Sequence, residues 1–312
     1  MKQMQVLVKT AGMPREEWLK WRRMGIGGSD ASVIAGVNPF RSIFQLWMEK
    51  TGQDAAKETV SEHAHFGNLL EGVVREEFTR RTGLKVRRKR AMLQSREYPF
   101  MLADLDGVIQ ENGERCIFEA KTASAYRQEE WERGVPVEYQ FQIQHYMAVT
   151  GASKTYIAAL VGGNHFLYHE ACRNEKMISD IIRMEKEFWE RYVLGGEEPP
   201  ADGSKATTEF LNERYKTSGG GSIALPDEAL PLCELYDDIS SQLDGLKVKK
   251  EMVANKLKNY LKENESGTVG NRRVTWKSIT STTFDKKRLE AEQKEIYDQY
   301  CRKSQYRRLS VA

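Results

Sequence analysis

The sequence has no apolar run long enough to span a bilayer, and residues 1–10 lack the continuous apolar segment of a secretory leader. Both absences point to the cytoplasm and away from membranes. Cysteine is scarce: Cys116, Cys172, Cys233 and Cys301 lie far apart with no CxxC pair, so neither a zinc site nor a disulfide framework is expected. His63, His65, His145, His165 and His169 form no HxH-plus-carboxylate pattern. Excess charge is lacking as well. A net +3 is too small to argue for a polyanionic partner. Basic residues do gather at Lys85–Arg90, at Arg22–Arg23, at Arg80–Arg81 and near the end at Arg302, Lys303, Arg307 and Arg308. Such clusters suit a phosphate backbone and equally suit a solvated surface. At 40% hydrophobic and 30% charged over 312 residues, the chain is too apolar for general disorder.

The clearest break is Thr217-Ser218-Gly219-Gly220-Gly221-Ser222, flexible by composition, which separates residues 1–216 from residues 223–312. Before the break, short helices are expected over 15–23, 31–35 and 44–51, with the glycine-rich loop 25–30 between the first two. Phe66, Leu70, Val73, Val74 and Phe78 recur at helical spacing, which predicts a helix over 66–81 stopped by Gly83. Strand-like runs follow at 85–93, 100–110 and 115–121. A helix over 137–150 opens at Pro136 and closes at Gly151. A hairpin over 155–161 and 165–171 and an amphipathic helix over 178–194 complete the order. This succession predicts an α/β fold of the α+β kind, a mixed sheet flanked by helices. Trp18, Trp21, Trp47 and Trp131 are read as core anchors.

After the break, Leu232, Tyr236, Ile239, Leu243, Leu246, Val253, Leu257 and Tyr260 fall on an alternating 4-3 spacing interrupted only by Lys250. That a/d stripe needs a covering surface. Assembly of subunits, docking of a partner protein and packing onto the first part all remain open. Beyond it, a strand over 273–279, a helix over 285–300 and a strand over 306–311 are expected.

The chemistry concentrates between Leu105 and Lys121. Glu119 and Lys121 alternate on a strand and so share a face, while Phe118 and Ala120 point the other way. A hairpin of this length brings Asp106 beside Glu119. Two converging carboxylates repel unless a cation sits between them, and oxygen ligands favour hard ions such as Mg²⁺ or Mn²⁺. A lysine alongside can orient a water molecule for attack on phosphorus.

Five blocks, in order, resemble the YqaJ-like viral recombinases, a family that includes the phage lambda exonuclease. They are residues 23–30 (RMGIGGSD), 66–71 (FGNLLE), 104–107 (DLDG), 118–121 (FEAK) and 139–144 (YQFQIQ), and together they cover roughly residues 15–195. The resemblance implies a PD-(D/E)xK restriction-endonuclease-like core over 1–216 with a C-terminal helical appendage. It implies that Asp106, Glu119 and the backbone carbonyl of Ala120 bind metal, and that Lys121 positions the nucleophilic water. Glu71 would bind a second ion or its water, unless it is a solvated helix glutamate. Gln142 would stand beside the site, with Gln144 structural. Arg23 and Ser29 resemble the pair that holds a 5′-terminal phosphate, with Arg22 an adjacent competitor; a guanidinium and a hydroxyl at a glycine-rich helix entry suit an anion. The implied activity is a Mg²⁺-dependent 5′→3′ exonuclease using two ions on double-stranded DNA ends. It would be a homo-oligomer working with a single-strand-annealing protein, in a bacterial host cell and of phage or prophage origin. A structure- or sequence-specific endonuclease of the same fold, or a catalytically silent DNA-binding or assembly module, are the alternatives.

Overall fold

A computed structural model describes residues 3–53, 62–302 and 305–311; Lys303, of the C-terminal basic cluster, lies outside them. The chain divides into two units, Met1–Leu211 and Asn212–Ala312. In the first unit the order is β1 (Met4–Lys9), α1 (Arg15–Arg23), α2 (Gly28–Ile34), α3 (Ile43–Thr51), α4 (Glu62–Thr82), β2 (Val86–Arg87), β3 (Ala91–Ser95), β4 (Leu102–Asp104), β5 (Gly107–Glu111) and β6 (Glu114–Ala123). Then come α5 (Gln128–Arg133), α6 (Val137–Thr150), β7 (Lys154–Val161), β8 (His165–Cys172), α7 (Glu175–Glu187), a π-helical turn over Phe188–Leu194 and α8 (Lys205–Arg214), whose last residues belong to the second unit.

A mixed sheet flanked by helices is what forms. Five strands run in the order β2-β5-β6-β7-β8, with β6 and β7 parallel and every other pair antiparallel. A smaller antiparallel sheet has the order β1-β3-β4. Two expected strands are each divided between these sheets: 85–93 becomes β2 and β3, and 100–110 becomes β4 and β5. The break in the second run is at Leu105-Asp106. Gly107, just beyond it, lies so close to β2 that an added Cβ would stand 2.4 Å from Val86 Cγ1. The mostly exposed β1 was not anticipated; its pairing to β3 carries a register shift between Val6 and Val8.

Strand alternation sorts the core into layers. Phe118, Cys116 and Ile109 face α4, where Val74 and Phe78 are buried against them. Each such apolar side chain contributes roughly 1.5–3 kcal/mol when fully buried. Ile117, Ile157 and Ala159 turn to the opposite face and pack with Ile143 and Met147 of α6 and with Leu93 and Ala103 of the small sheet. Helix α6 is therefore wedged between the sheets and buried on nearly every side. Of the tryptophans, Trp47 and Trp131 are core anchors, whereas Trp18 is only half-buried and makes a polar contact described below.

In the second unit α9 (Ala229–Leu261) is a single helix of 33 residues, followed by the hairpin of β9 (Ser266–Val269) and β10 (Arg272–Thr275), then α10 (Lys286–Glu292) and α11 (Lys294–Tyr300). The helix expected over 285–300 is broken at Gln293, and the strand expected over 306–311 does not form.

Candidate active site

Strand β6 delivers Glu119 and Lys121 to the α6 side, and Asp106 sits where the chain passes from one sheet to the other. The three meet. Asp106 Oδ2 accepts the Ala120 backbone N–H at 2.8 Å. Lys121 Nζ donates to Glu119 Oε1 at 2.7 Å, and Gln142 Nε2, reaching from α6, donates to the same oxygen at 2.6 Å. Glu119 Oε2 is buried without a hydrogen-bond partner. A buried carboxylate oxygen left bare is costly, so this atom calls for a ligand. Burial, then the neighbouring Glu119 charge, pushes Asp106 well above the ordinary carboxylate range. Burial likewise raises Glu119, against the pull of Lys121. Burial opposes the Lys121 ammonium, but the Glu119 and Asp106 charges outweigh it and raise its pKa. A cation between the two carboxylates would relieve their repulsion.

Among the described residues no three His, Cys, Asp or Glu side chains cluster tightly enough to enclose a metal. The bare Oε2 and Asp106 offer two carboxylates only. That suits Mg²⁺, which keeps several waters and takes few protein ligands. Glu71 lines the same cavity, but its Oε1 accepts from Arg75 Nη1 at 3.0 Å and Arg88 Nη2 at 2.9 Å, so it is neutralised by guanidinium groups. Gln144 is structural: it donates to the Cys172 carbonyl and accepts from Asn174 N–H.

The glycine-rich entry of α2 opens on the same cavity, of about 1110 Å³, which is larger than the ~300–1,000 Å³ of an ordinary small-molecule pocket. Here the structure brings the adjacent arginine, Arg22, to Ser29. Arg22, not Arg23, bonds Ser29: its Nη2 donates to Ser29 Oγ and to Asp30 Oδ1, both at 2.7 Å. The cause is helical phase. Arg22 lies four residues after Trp18 on one face of α1, with its guanidinium 5.7 Å from the Trp18 ring, while Arg23 is exposed and does not line the cavity. Asp30 is buried and also accepts the Gly27 N–H and, at 2.9 Å, Lys50 Nζ. Burial would raise its pKa, but Arg22, Lys50 and Arg41 hold it far below the usual carboxylate range. Gly27 and Gly28 are required by close approach. A Cβ on Gly27 would fall 1.9 Å from Arg22 Nη1, and one on Gly28 would fall 2.5 Å from the ring of Tyr146.

Three further residues at the site were assigned no role of their own from the sequence. Tyr146 lines the cavity between the two groups and accepts from Gln142 Nε2 at 3.2 Å; its i,i+4 spacing from Gln142 was the available signal. Asp104 also lines it, with Trp18 Nε1 donating to its Oδ2 at 2.7 Å. Lys50 has no local signature, because only the tertiary fold carries it beneath the loop.

The fold and cavity define an α/β protein with two carboxylates and a lysine gathered beside an arginine–serine pair. Residues 17–153, which hold every one of these residues, match the YqaJ-like viral recombinase domain. The chain is 41% identical over 314 residues to the uncharacterized protein YqaJ of Bacillus subtilis (strain 168), covering 99% of this chain and 98% of that protein. The chain belongs to the YqaJ-like viral recombinase family. Among solved structures it is similar to the alkaline exonuclease LHK-Exo from Laribacter hongkongensis, at 18% identity and a TM-score of 0.48, covering 58% of this chain and 93% of that one. It is also similar to a phage-related exonuclease from Haemophilus somnus 129PT, at 13% identity and a TM-score of 0.43, over 58% of this chain and 100% of that one.

Proposed function

We propose that this protein is a metal-dependent deoxyribonuclease that degrades one strand of linear double-stranded DNA in the 5′→3′ direction, leaving 3′ single-stranded tails for phage-type recombination. The observation that carries the reading is the single cavity in which the bare Glu119 Oε2, Asp106 and Lys121 lie together with Arg22 and Ser29. Asp106, Glu119 and the Ala120 carbonyl would hold Mg²⁺, for which Mn²⁺ would substitute. Glu71 would serve a second ion or its water once released from Arg75 and Arg88. The bound metal would stabilise the charge that develops on the phosphoryl oxygens. Lys121 orients the attacking water, and Gln142 fixes the Glu119 carboxylate. Arg22 and Ser29 grip the terminal 5′-phosphate, with the guanidinium donating a charge-assisted bond. Homo-oligomerisation, a single-strand-annealing partner and a site of action in the host cytoplasm belong to the same proposal.

The test is digestion with Mg²⁺ of end-labelled linear duplexes bearing 5′-phosphate or 5′-hydroxyl, alongside a covalently closed circle. Progressive loss of one strand from 5′-phosphorylated ends, with the circle intact, is expected. Cutting of the circle would assign an endonuclease instead, and no cation-dependent digestion of any substrate would leave a non-catalytic DNA-binding module.

A further inference from the structure

The stripe on α9 is uncovered within its own unit. Its eight apolar positions, from Leu232 to Tyr260, are between 40% and 84% exposed. Such a continuous apolar face on a helix about 50 Å long (33 residues at 1.5 Å each) requires a partner. Two features identify that partner as a second copy of the same helix. The first is charge. Residues 227–244 carry six carboxylates and no lysine or arginine, while residues 245–262 carry six lysines and a single carboxylate. The second is register. If two copies run in opposite directions about a centre between Leu243 and Leu246, six of the eight stripe positions meet one another. Leu243 then faces Leu246, Ile239 faces Lys250, Tyr236 faces Val253, Leu232 faces Leu257, and Ala229 faces Tyr260.

We infer that α9 forms an antiparallel two-helix coiled coil with α9 of a second copy of this chain, joining C-terminal units in pairs. The antiparallel direction lays each acidic half along a basic half and sets the two helix dipoles head to tail. It places Lys250 in a layer with an isoleucine whose sequence neighbours include Asp238. The flanking Lys247, Lys249 and Lys256 meet Gln242, Ser240 and Cys233 respectively, so no lysine opposes a lysine. A parallel, in-register pair does the reverse. It stacks acid on acid and lysine on lysine, and it buries the two Lys250 ammonium groups in one layer. The pairing does not depend on the nuclease activity and concerns only the second unit.

Disulfide trapping in the full-length protein decides it. In a background of Cys172→Ser, Cys233→Ser and Cys301→Ser, Leu232→Cys and Leu257→Cys proteins are prepared separately and oxidised alone and after mixing. Both positions are exposed, so the fold should tolerate these changes, and circular dichroism checks it; Ala229→Cys with Tyr260→Cys repeats the experiment at the end layer. The antiparallel pair gives a cross-linked dimer in the mixture and little in either protein alone. Cross-linking of each protein with itself as efficiently as in the mixture would mean a parallel helix pair. No cross-link from folded proteins in either layer would mean that another surface covers the stripe. Either result overturns the inference.

Discussion

Replacing Arg22 by alanine separates the two arginines that stand side by side in the sequence. The guanidinium donates to Ser29 and to Asp30, and in the proposed reaction it also binds the terminal phosphate. Losing a charge-assisted hydrogen bond costs about 1.5–3 kcal/mol, which at about 1.4 kcal/mol per decade is roughly a 10- to 150-fold fall in kcat/KM on 5′-phosphorylated ends. On 5′-hydroxyl ends the terminal charge is missing, so the variant should act nearly as the unaltered protein does. The fold should survive, because Asp30 keeps Lys50 Nζ at 2.9 Å and the Gly27 N–H. Arg22→Lys should recover part of the loss, since it keeps the charge without the two-pronged geometry. Arg23→Ala, at an exposed position, should change neither rate by more than about twofold. The assay is initial-rate digestion of paired duplexes differing only in the end group, with thermal melting as the folding control. Equal losses on both ends for Arg22→Ala, or end discrimination that follows Arg23 instead, would refute the reasoning.

Glu119→Gln and Lys121→Ala should each lower cation-dependent cleavage by about 10²–10⁴-fold while leaving the melting curve cooperative; a folded Lys121→Ala protein with full activity removes the lysine from the chemistry. Asp106 has a raised folded-state pKa, so without cation its contribution to stability falls as pH climbs from the ordinary carboxylate value through the raised one. Asp106→Asn should therefore flatten that fall and abolish the rise in melting temperature that Mg²⁺ gives the unaltered protein, both read by differential scanning fluorimetry. Gly28→Ala drives a methyl group into the Tyr146 ring and should cost about 1–3 kcal/mol in urea denaturation; unchanged stability would mean that the loop has room. At the buried His145–Glu185 pair, burial would lower the histidine pKa, but the carboxylate and the Leu102 carbonyl raise it. Its stabilisation is then complete below about pH 6.5 and lost as pH rises through the raised value. A His145→Gln/Glu185→Gln protein should show a flatter dependence of melting temperature on pH above that point.

Strand β6 was readable because a period of two fixes which side chains share a face: Glu119 and Lys121 on one side, Phe118 and Ala120 on the other. The choice between Arg22 and Arg23 was not, since it depends on where Trp18 sets the phase of α1 against the cavity. Glycines 27 and 28 were visible as a glycine-rich helix entry, yet what requires them is the nearness of Arg22 and, from far along the chain, Tyr146. The strands over 85–93 and 100–110 looked continuous because hydrophobic patterning does not mark a change of sheet; the tight approach of Gly107 to Val86 does. Strand β1 has little buried surface and therefore little pattern to betray it. Glu71 lines the cavity, but its arginine partners could not be seen without the tertiary fold.

Helix α6 sends Gln142 to Glu119, leans Tyr146 on Gly28, ties His145 to Glu185 and the small sheet, and anchors Gln144 against the end of β8. Nothing on this helix can let go alone. Opening it would strip the carboxylate of its amide, uncover the glycine entry and part the two sheets together. Its backbone amides should consequently exchange with solvent only through whole-unit unfolding, at the slowest rate the protein shows. The price of so rigid a support is that adaptation to a substrate must come from the rim, from Arg88 and the start of α4, where side chains are exposed and can move without disturbing the beam beneath them.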